Sequence, residues 1–191
     1  FSKIFRKNQF NRKKKLKILI IIINIDNNTV QMDKPKKLTL DETDKKILTL
    51  LQENADININ KISKEVHLSQ TPCWARINKL YKSGIIKKKI ALVDKNKINL
   101  PIVAFVQIKT NQHNLDWAKK FIEVVQELEE VVEFYRLSGS IDYLLKIVVP
   151  SISKFDEFYQ DLTSKIDLTD VTTSFSMDEI KHTNKLPLKY I

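Results

Sequence analysis

From residue 101 to residue 180 the apolar residues alternate between two spacings, every second residue and every three to four residues. That alternation narrows the possible folds more than any other feature of this chain. PIVAFVQIKT alternates with β-branched and aromatic residues and reads as a strand. NLDWAKKFIEVVQEL places Trp117, Phe121, Val124, Val125 and Leu128 at helical spacing. VVEFYRL and DYLLKIVV are strands joined by the short turn SGSI, so the pair is a hairpin. SISKFDEFYQDLTSKI is a second helix, with Ile152, Phe155, Phe158, Tyr159 and Leu162 on its apolar face, and DVTTSFSMDEI closes the series as a strand. The order βαββαβ predicts a ferredoxin-like sheet with both helices on one face. Residues Ile102, Ala104, Val106 and Ile108, or their alternates, fall on the other face. Both alternations are largely apolar, so that face is expected to be covered by a second copy packing sheet on sheet.

The preceding stretch is helical. Asp41 precedes ETDKKILTLLQEN, where Ile47, Leu48 and Leu51 share a face and acidic residues fill the first turn. Asn60 is the expected cap of KISKEVH, with Ile62 and Val66 four apart. His67 follows where two helices must turn, a place for a left-handed residue. Ser69 is the expected cap of a third helix, Pro72 falls in its first turn and Gly84 stops it. In that helix Cys73, Ile77 and Leu80 recur at i, i+4 and i+7 as the buried stripe. IIKKKIALV then reads as a strand. The fold class is therefore α+β. Residues 32–93 form a helix-turn-helix domain, 94–100 a polar linker, and 101–191 the ferredoxin-like domain.

Two short helices at a tight turn, the second exposing polar and basic groups, describe a helix-turn-helix that places a helix in the major groove of double-stranded DNA. Gln70, Thr71, Trp74 and Asn78 are the expected base readers, and Arg76, Lys79, Lys82, Lys87, Lys88 and Lys89 the expected phosphate contacts. Charge agrees with that placement. The chain of 191 residues carries a formal +10. Residues 32–90 hold thirteen Lys/Arg against seven Asp/Glu, whereas residues 91–191 hold twelve against fifteen. Only the first module favours a polyanion.

Other chemistries are poorly supported. A single cysteine forms no internal disulfide, which points to a reducing, cytoplasmic setting. Cys73 lies on the apolar stripe and reads as core filler rather than a nucleophile. His67, His113 and His182 lack metal-ligand or catalytic spacing. With two glycines the chain has no Gly-rich phosphate loop. No metal, cofactor or catalytic group is expected, and Glu129-Glu130 reads as solvated surface.

Residues 1–31 hold eight Lys/Arg, one Asp and an apolar run, Ile18 to Ile23. The run is short for a signal peptide and far too short to span a bilayer. The segment is read as an extension outside the working fold, with a basic tail that adds nonspecific DNA affinity as the alternative and a membrane anchor third.

LDETDKKILTLLQENADI, KISKEVHLSQTPCWARINKLYKSGII, LSGSIDYLLKIVVP and DVTTSFSMDEIKHTNKLP, in that order, resemble the Lrp/AsnC (feast/famine) transcription regulators over residues 38–186. The resemblance implies a winged-helix-like DNA-binding domain, a ferredoxin-like effector domain, dimers that often assemble to octamers, and an amino acid that tunes assembly and DNA binding. By position, the effector site would comprise Ser138, Gly139, Ser140 and Asp142 of the hairpin turn, with Arg136 before it and Ser174 and Ser176 on the last strand. Three positions depart from the family pattern: His67 replaces a turn glycine, Tyr81 replaces an acidic partner for Arg76, and Ser140 replaces an acidic loop residue. TPCW, IKT-x-x-H, DEFY and SF-x-M are similar to the cysteine-responsive branch. The alternatives are an enzyme like the sirohaem decarboxylases, which resemble this family in fold and need haem-facing His or Arg groups, and an architectural DNA-binding protein indifferent to amino acids.

Overall fold

A computed structural model describes residues 39–112 and 114–191. The readings of residues 1–38 and of His113 lie outside the described residues. The described chain forms two compact units: residues up to Lys89 together with Lys185–Ile191, and Ile90–Asn184.

The first unit packs α1 (Glu42–Glu53), α2 (Ile59–Glu65) and α3 (Gln70–Lys82) around Ile47, Leu48, Ile62, Val66, Cys73 and Leu80. Asp41 caps α1 through a reciprocal box: its carboxylate accepts from the Asp44 N–H at 2.8 Å, and the Asp44 carboxylate accepts from the Asp41 N–H at 3.4 Å. α2 is capped by Asn58 rather than Asn60. The Asn58 Oδ1 accepts from the Asn60 N–H at 2.8 Å, which puts Asn60 inside the helix. His67 adopts the left-handed turn with φ 53°, as does Gly84 past the end of α3 with φ 74°.

The expected strand at 85–93 does not form, and residues 87–94 carry no regular structure. A strand exists only against a partner row of backbone groups, and the sheet of this chain is built entirely from residues beyond 101. Ile90, Leu92 and Val93 stand exposed there.

The second unit has β1 (Ile102–Lys109), α4 (Leu115–Gln126), β2 (Val131–Arg136), β3 (Tyr143–Val149), α5 (Ile152–Lys165) and β4 (Asp170–Phe175). The strands lie in the order β2-β3-β1-β4, each antiparallel to its neighbour, which is the ferredoxin-like sheet. β1 presents Ala104, Val106 and Ile108 to the helices, and β3 presents Tyr143, Leu145, Ile147 and Val149. Phe121 lies at the centre of an aromatic cluster, 5.1 Å from Trp117, 4.9 Å from Tyr143 and 5.5 Å from Phe134.

The opposite sheet face is less apolar than β1 alone indicates. The register sets Lys146 of β3 against Glu133 of β2, and the two form an ion pair at 2.9 Å. β4 is also shorter than its sequence implies. After the Ser176 N–H donates to the Val103 carbonyl, the Ser176 hydroxyl bonds the Asp178 carbonyl and the strand is over. The residues that follow come over Val103, which is 6% exposed although it faces away from the helices.

Candidate nucleic-acid interface and effector loop

α3 has two faces of opposite character. Cys73 and Leu80 are buried and Ile77 half-buried. Gln70, Trp74, Asn78 and Lys82 recur every four residues along the outer side, with Thr71 beside them, so they form one stripe. Gln70, Thr71, Trp74 and Lys82 are exposed and Asn78 is half-buried. Trp74 is 63% exposed, a large apolar ring left in water at the middle of a helix. Ser69 occupies the N-cap but makes no capping hydrogen bond with its side chain. The first turn of the stripe is therefore also a helix N-terminus suited to an anion.

The turn before α3 is built from backbone contacts. The His67 N–H donates to the Lys64 carbonyl at 3.2 Å and the Leu68 N–H to the Ser63 carbonyl at 2.9 Å. At the far end the Gly84 N–H donates to the Tyr81 carbonyl at 3.0 Å. Lys79, Lys87, Lys88 and Lys89 are exposed.

Arg76 is placed differently from the other basic residues. Its Nη1 lies 2.6 Å from Asp41 Oδ2 and 2.8 Å from Asp44 Oδ1, and the Asp44 side chain is only 4% exposed. One guanidinium nitrogen thus bridges both members of the α1 capping box. The hydrogen bonds to Asp44 and then Asp41 hold Arg76 further into its charged range. The Asp41 carboxyl is held below its usual value, first by the Asp44 N–H and then by Arg76. Arg76 therefore fastens α3 to α1, and its guanidinium is engaged by two carboxylates where the sequence suggested a phosphate contact. The loss of an acidic partner at Tyr81 is met by two acids 35 and 32 residues earlier. The three-residue spacing of Asp41 and Asp44 is the available signal, but acidic residues in a first turn give no sign of a partner on α3.

Cys73 is a free, buried cysteine, and burial pushes its thiol above the ordinary value against an opposing pull from Arg76. That is the environment of an inert thiol.

The β2–β3 turn is fastened to the end of β1. The Leu137 N–H donates to the Asp142 carbonyl at 2.8 Å, the Asp142 N–H to the Ile108 carbonyl at 2.9 Å, and the Thr110 N–H to Asp142 Oδ2 at 2.9 Å. Ser138, Gly139 and Ser140 are exposed at its tip. Gly139 has φ 153° with open space where a Cβ would stand. Arg136 pairs in register with Tyr143 and is exposed.

Ser174 and Ser176 stand elsewhere. Ser174 pairs with Phe105 on β4, at the opposite edge of the sheet from β2. Three strand spacings, about 14 Å, separate those edges. One chain does not gather Arg136, the turn and these two serines into one pocket.

Ser176 instead lines a cavity of about 390 Å³ with Val103, Phe105, Lys146, Asp178 and His182. Near it, the Tyr135 hydroxyl donates to Glu133 at 2.6 Å. That bond first, then Lys146, holds the Glu133 carboxyl below its usual value. His182 thus has pocket neighbours that its isolated position in the sequence did not reveal. Among the described residues, no group of three or more His, Cys, Asp or Glu could hold a metal ion, and no helix is long and apolar enough to cross a membrane.

A three-helix unit presenting one polar helix face, joined to a ferredoxin-like unit, defines a two-domain DNA-binding protein with a regulatory module. The family model for winged helix-turn-helix DNA-binding matches residues 40–87, and that for the Lrp/AsnC ligand binding domain matches residues 103–186. The chain is 48% identical over 149 residues to the glutamate uptake regulatory protein of Zymomonas mobilis, covering 78% of this chain and 91% of that one. A crystal structure of an AsnC family transcriptional regulator from Agrobacterium tumefaciens superimposes with a TM-score of 0.77 at 47% identity, covering 80% of this chain and 99% of the other. A transcriptional regulator–L-Met complex from Neisseria meningitidis gives 0.76 at 36% identity, with the same coverage. The chain belongs to the Lrp/AsnC family of transcription regulators.

Proposed function

We propose that this protein is a cytoplasmic regulator that reads double-stranded DNA with α3 and adjusts its assembly and DNA affinity to a small amino acid, acting without catalysis. The observation that carries the DNA reading is the stripe of Gln70, Thr71, Trp74, Asn78 and Lys82 on a helix whose other face is buried and pinned by Arg76. Such a face reaches base edges at its N-terminal end. Lys79, Lys82 and Lys87–Lys89 hold the phosphates around it.

The effector would sit against Ser138, Gly139, Ser140 and Asp142. With Oδ2 of Asp142 accepting from Thr110, the other carboxylate oxygen is the one to take a ligand ammonium. Arg136 is suited to the ligand carboxylate. Ser174 and Ser176 would be contributed by another copy, because a single chain keeps them apart. The oligomer is a dimer, and assembly of dimers would bring those serines to the turn of another copy. A bound L-Met in the Neisseria regulator supports an amino acid, and cysteine is the one we favour here.

Fluorescence anisotropy with DNA from the protein's own upstream region tests the first half. Binding should be salt-sensitive and far tighter than to random duplex; equal affinity for both at moderate salt refutes it. A thermal-shift screen of the twenty amino acids tests the second half. A cysteine-dependent shift that survives Asp142→Ala would refute the site. Added sirohaem should leave the absorbance spectrum unchanged, and a bound haem band would favour the enzyme instead.

A further inference from the structure

The chain has two tryptophans, and they are kept in opposite ways. Trp117 is 8% exposed in the core of the second unit, where its indole N–H donates to the Asp167 carbonyl at 3.2 Å. Trp74 is 63% exposed in the second turn of α3, between Gln70 and Asn78 on the polar stripe. A ring of that size left in water adds little to the core and offers its apolar area to a partner.

The major groove of DNA presents one apolar group, the C5-methyl of thymine. The residues beside Trp74 select for the same base pair. Gln70 stands one turn before it and Asn78 one turn after, and the amide side chains of Gln and Asn match the N6 and N7 edge of adenine. Guanine is matched by Arg or Lys. QTPCW, the first five residues of α3, contains neither, and Arg76 is held by Asp41 and Asp44. The end of the helix that reaches base edges is thus furnished for A·T pairs. One helical turn advances about 5.4 Å and base pairs stack about 3.4 Å apart, so Trp74 falls about one to two base pairs from the base met by Gln70.

We infer that Trp74 reads thymine by packing its indole ring on the C5-methyl group in the major groove, one helical turn along α3 from the adenine-matching amide of Gln70. The inference rests on the DNA reading above and names the base contact within it.

The test uses the full chain and duplex from its own upstream region. Each thymine of the segment protected from nuclease is replaced in turn by deoxyuridine, which removes the methyl and keeps every hydrogen-bonding group. Anisotropy should show a loss of about fourfold at one or more thymines, the worth of one buried methyl group. Trp74→Ala should bind the thymine and uracil duplexes within about 1.5-fold of one another at those positions. 5-Iodouracil at the same positions should, on irradiation, crosslink to Trp74 of the unaltered protein; peptide mass spectrometry identifies that adduct whether or not the variant folds. The inference is overturned by a scan in which no thymine matters, by a penalty that Trp74→Ala keeps in full, or by the absence of a crosslink at Trp74. Any of these with specific binding intact leaves the regulator reading standing. A full chain that binds the upstream duplex no better than random DNA sinks that reading and the thymine contact together.

Discussion

Replacing Arg76 with leucine isolates the link between the reading helix and α1. The substitution keeps most of the side-chain volume and removes the one nitrogen that bridges Asp41 and Asp44. Asp41 is half exposed, and water replaces the cation there. Asp44 is 4% exposed and loses its cationic partner. A hydrogen bond to a charged group is worth about 1.5–3 kcal/mol, and a buried charge left unpaired costs more. Asp44 keeps the long contact from the Asp41 N–H, and the site opens toward solvent at Asp41, so a loss of about 2 kcal/mol is expected. That is a factor of about 30 in the unfolding constant of the first unit.

Urea denaturation followed by circular dichroism measures the loss. A double-mutant cycle with Asp44→Leu should return a coupling of about 1–2 kcal/mol. Arg76→Lys should retain much of it, because a single nitrogen makes both contacts.

The pH dependence has a definite sign. The Asp41 carboxyl is depressed in the folded state, so its contribution is present above the unfolded value, near 3.8, and is lost as pH falls through the lower folded value. The Asp44 N–H, the larger cause of that depression, survives Arg76→Leu, so the gap between the parent and the variant should be steady near neutrality and narrow only slightly in acid below about pH 4. A cost of less than about 0.5 kcal/mol in Arg76→Leu, together with weaker DNA binding and a salt slope lowered by about one, would refute the pairing. Arg76 would then be a phosphate contact after all.

Other residues give sharper single tests. Trp74→Ala should leave the thermal midpoint within a degree or two while narrowing the gap between specific and random DNA in anisotropy titrations, since the ring is solvent-exposed. Cys73→Val should preserve folding, DNA binding and effector response, and the native thiol should react with a disulfide reagent only under denaturant. Fast labelling of the folded protein would contradict its burial. His67→Gly should stabilise the first unit by a few tenths to about 1 kcal/mol, because φ 53° strains a side chain; a loss in urea denaturation would show that the imidazole contributes contacts of its own.

The elements that were legible in the chain are those whose pattern is local. The βαββαβ order follows from changes of period, and each helix stripe named from spacing contains residues that are buried: Cys73 and Leu80 in α3, Phe121 and Val125 in α4, Phe155, Phe158 and Leu162 in α5. The left-handed turn at His67 was legible because a short link between two helices demands it. What failed depended either on partners distant in sequence or on a choice between neighbouring candidates. IIKKKIALV has strand composition, but composition cannot supply the second row of hydrogen bonds. Asn60 has the chemistry of a cap, and so does Asn58 two residues earlier; the choice between them depends on where backbone hydrogen bonding begins.

Arg76 carries the same lesson into function. On a basic helix every arginine reads as a phosphate contact, and only the fold reveals that two acids reach it first. The pairing sharpens the DNA reading rather than weakening it. A reading helix must be rigid as well as charged, because a side chain discriminates between bases only if its backbone holds still. Arg76 fixes α3 against α1 at one end of that helix, while Leu186 and Leu188 grip the other. The stripe from Gln70 to Lys82 is therefore carried on a helix braced through α1. Substitutions within the stripe should alter which DNA is preferred, whereas substitutions in either brace should alter how sharply the preference is expressed.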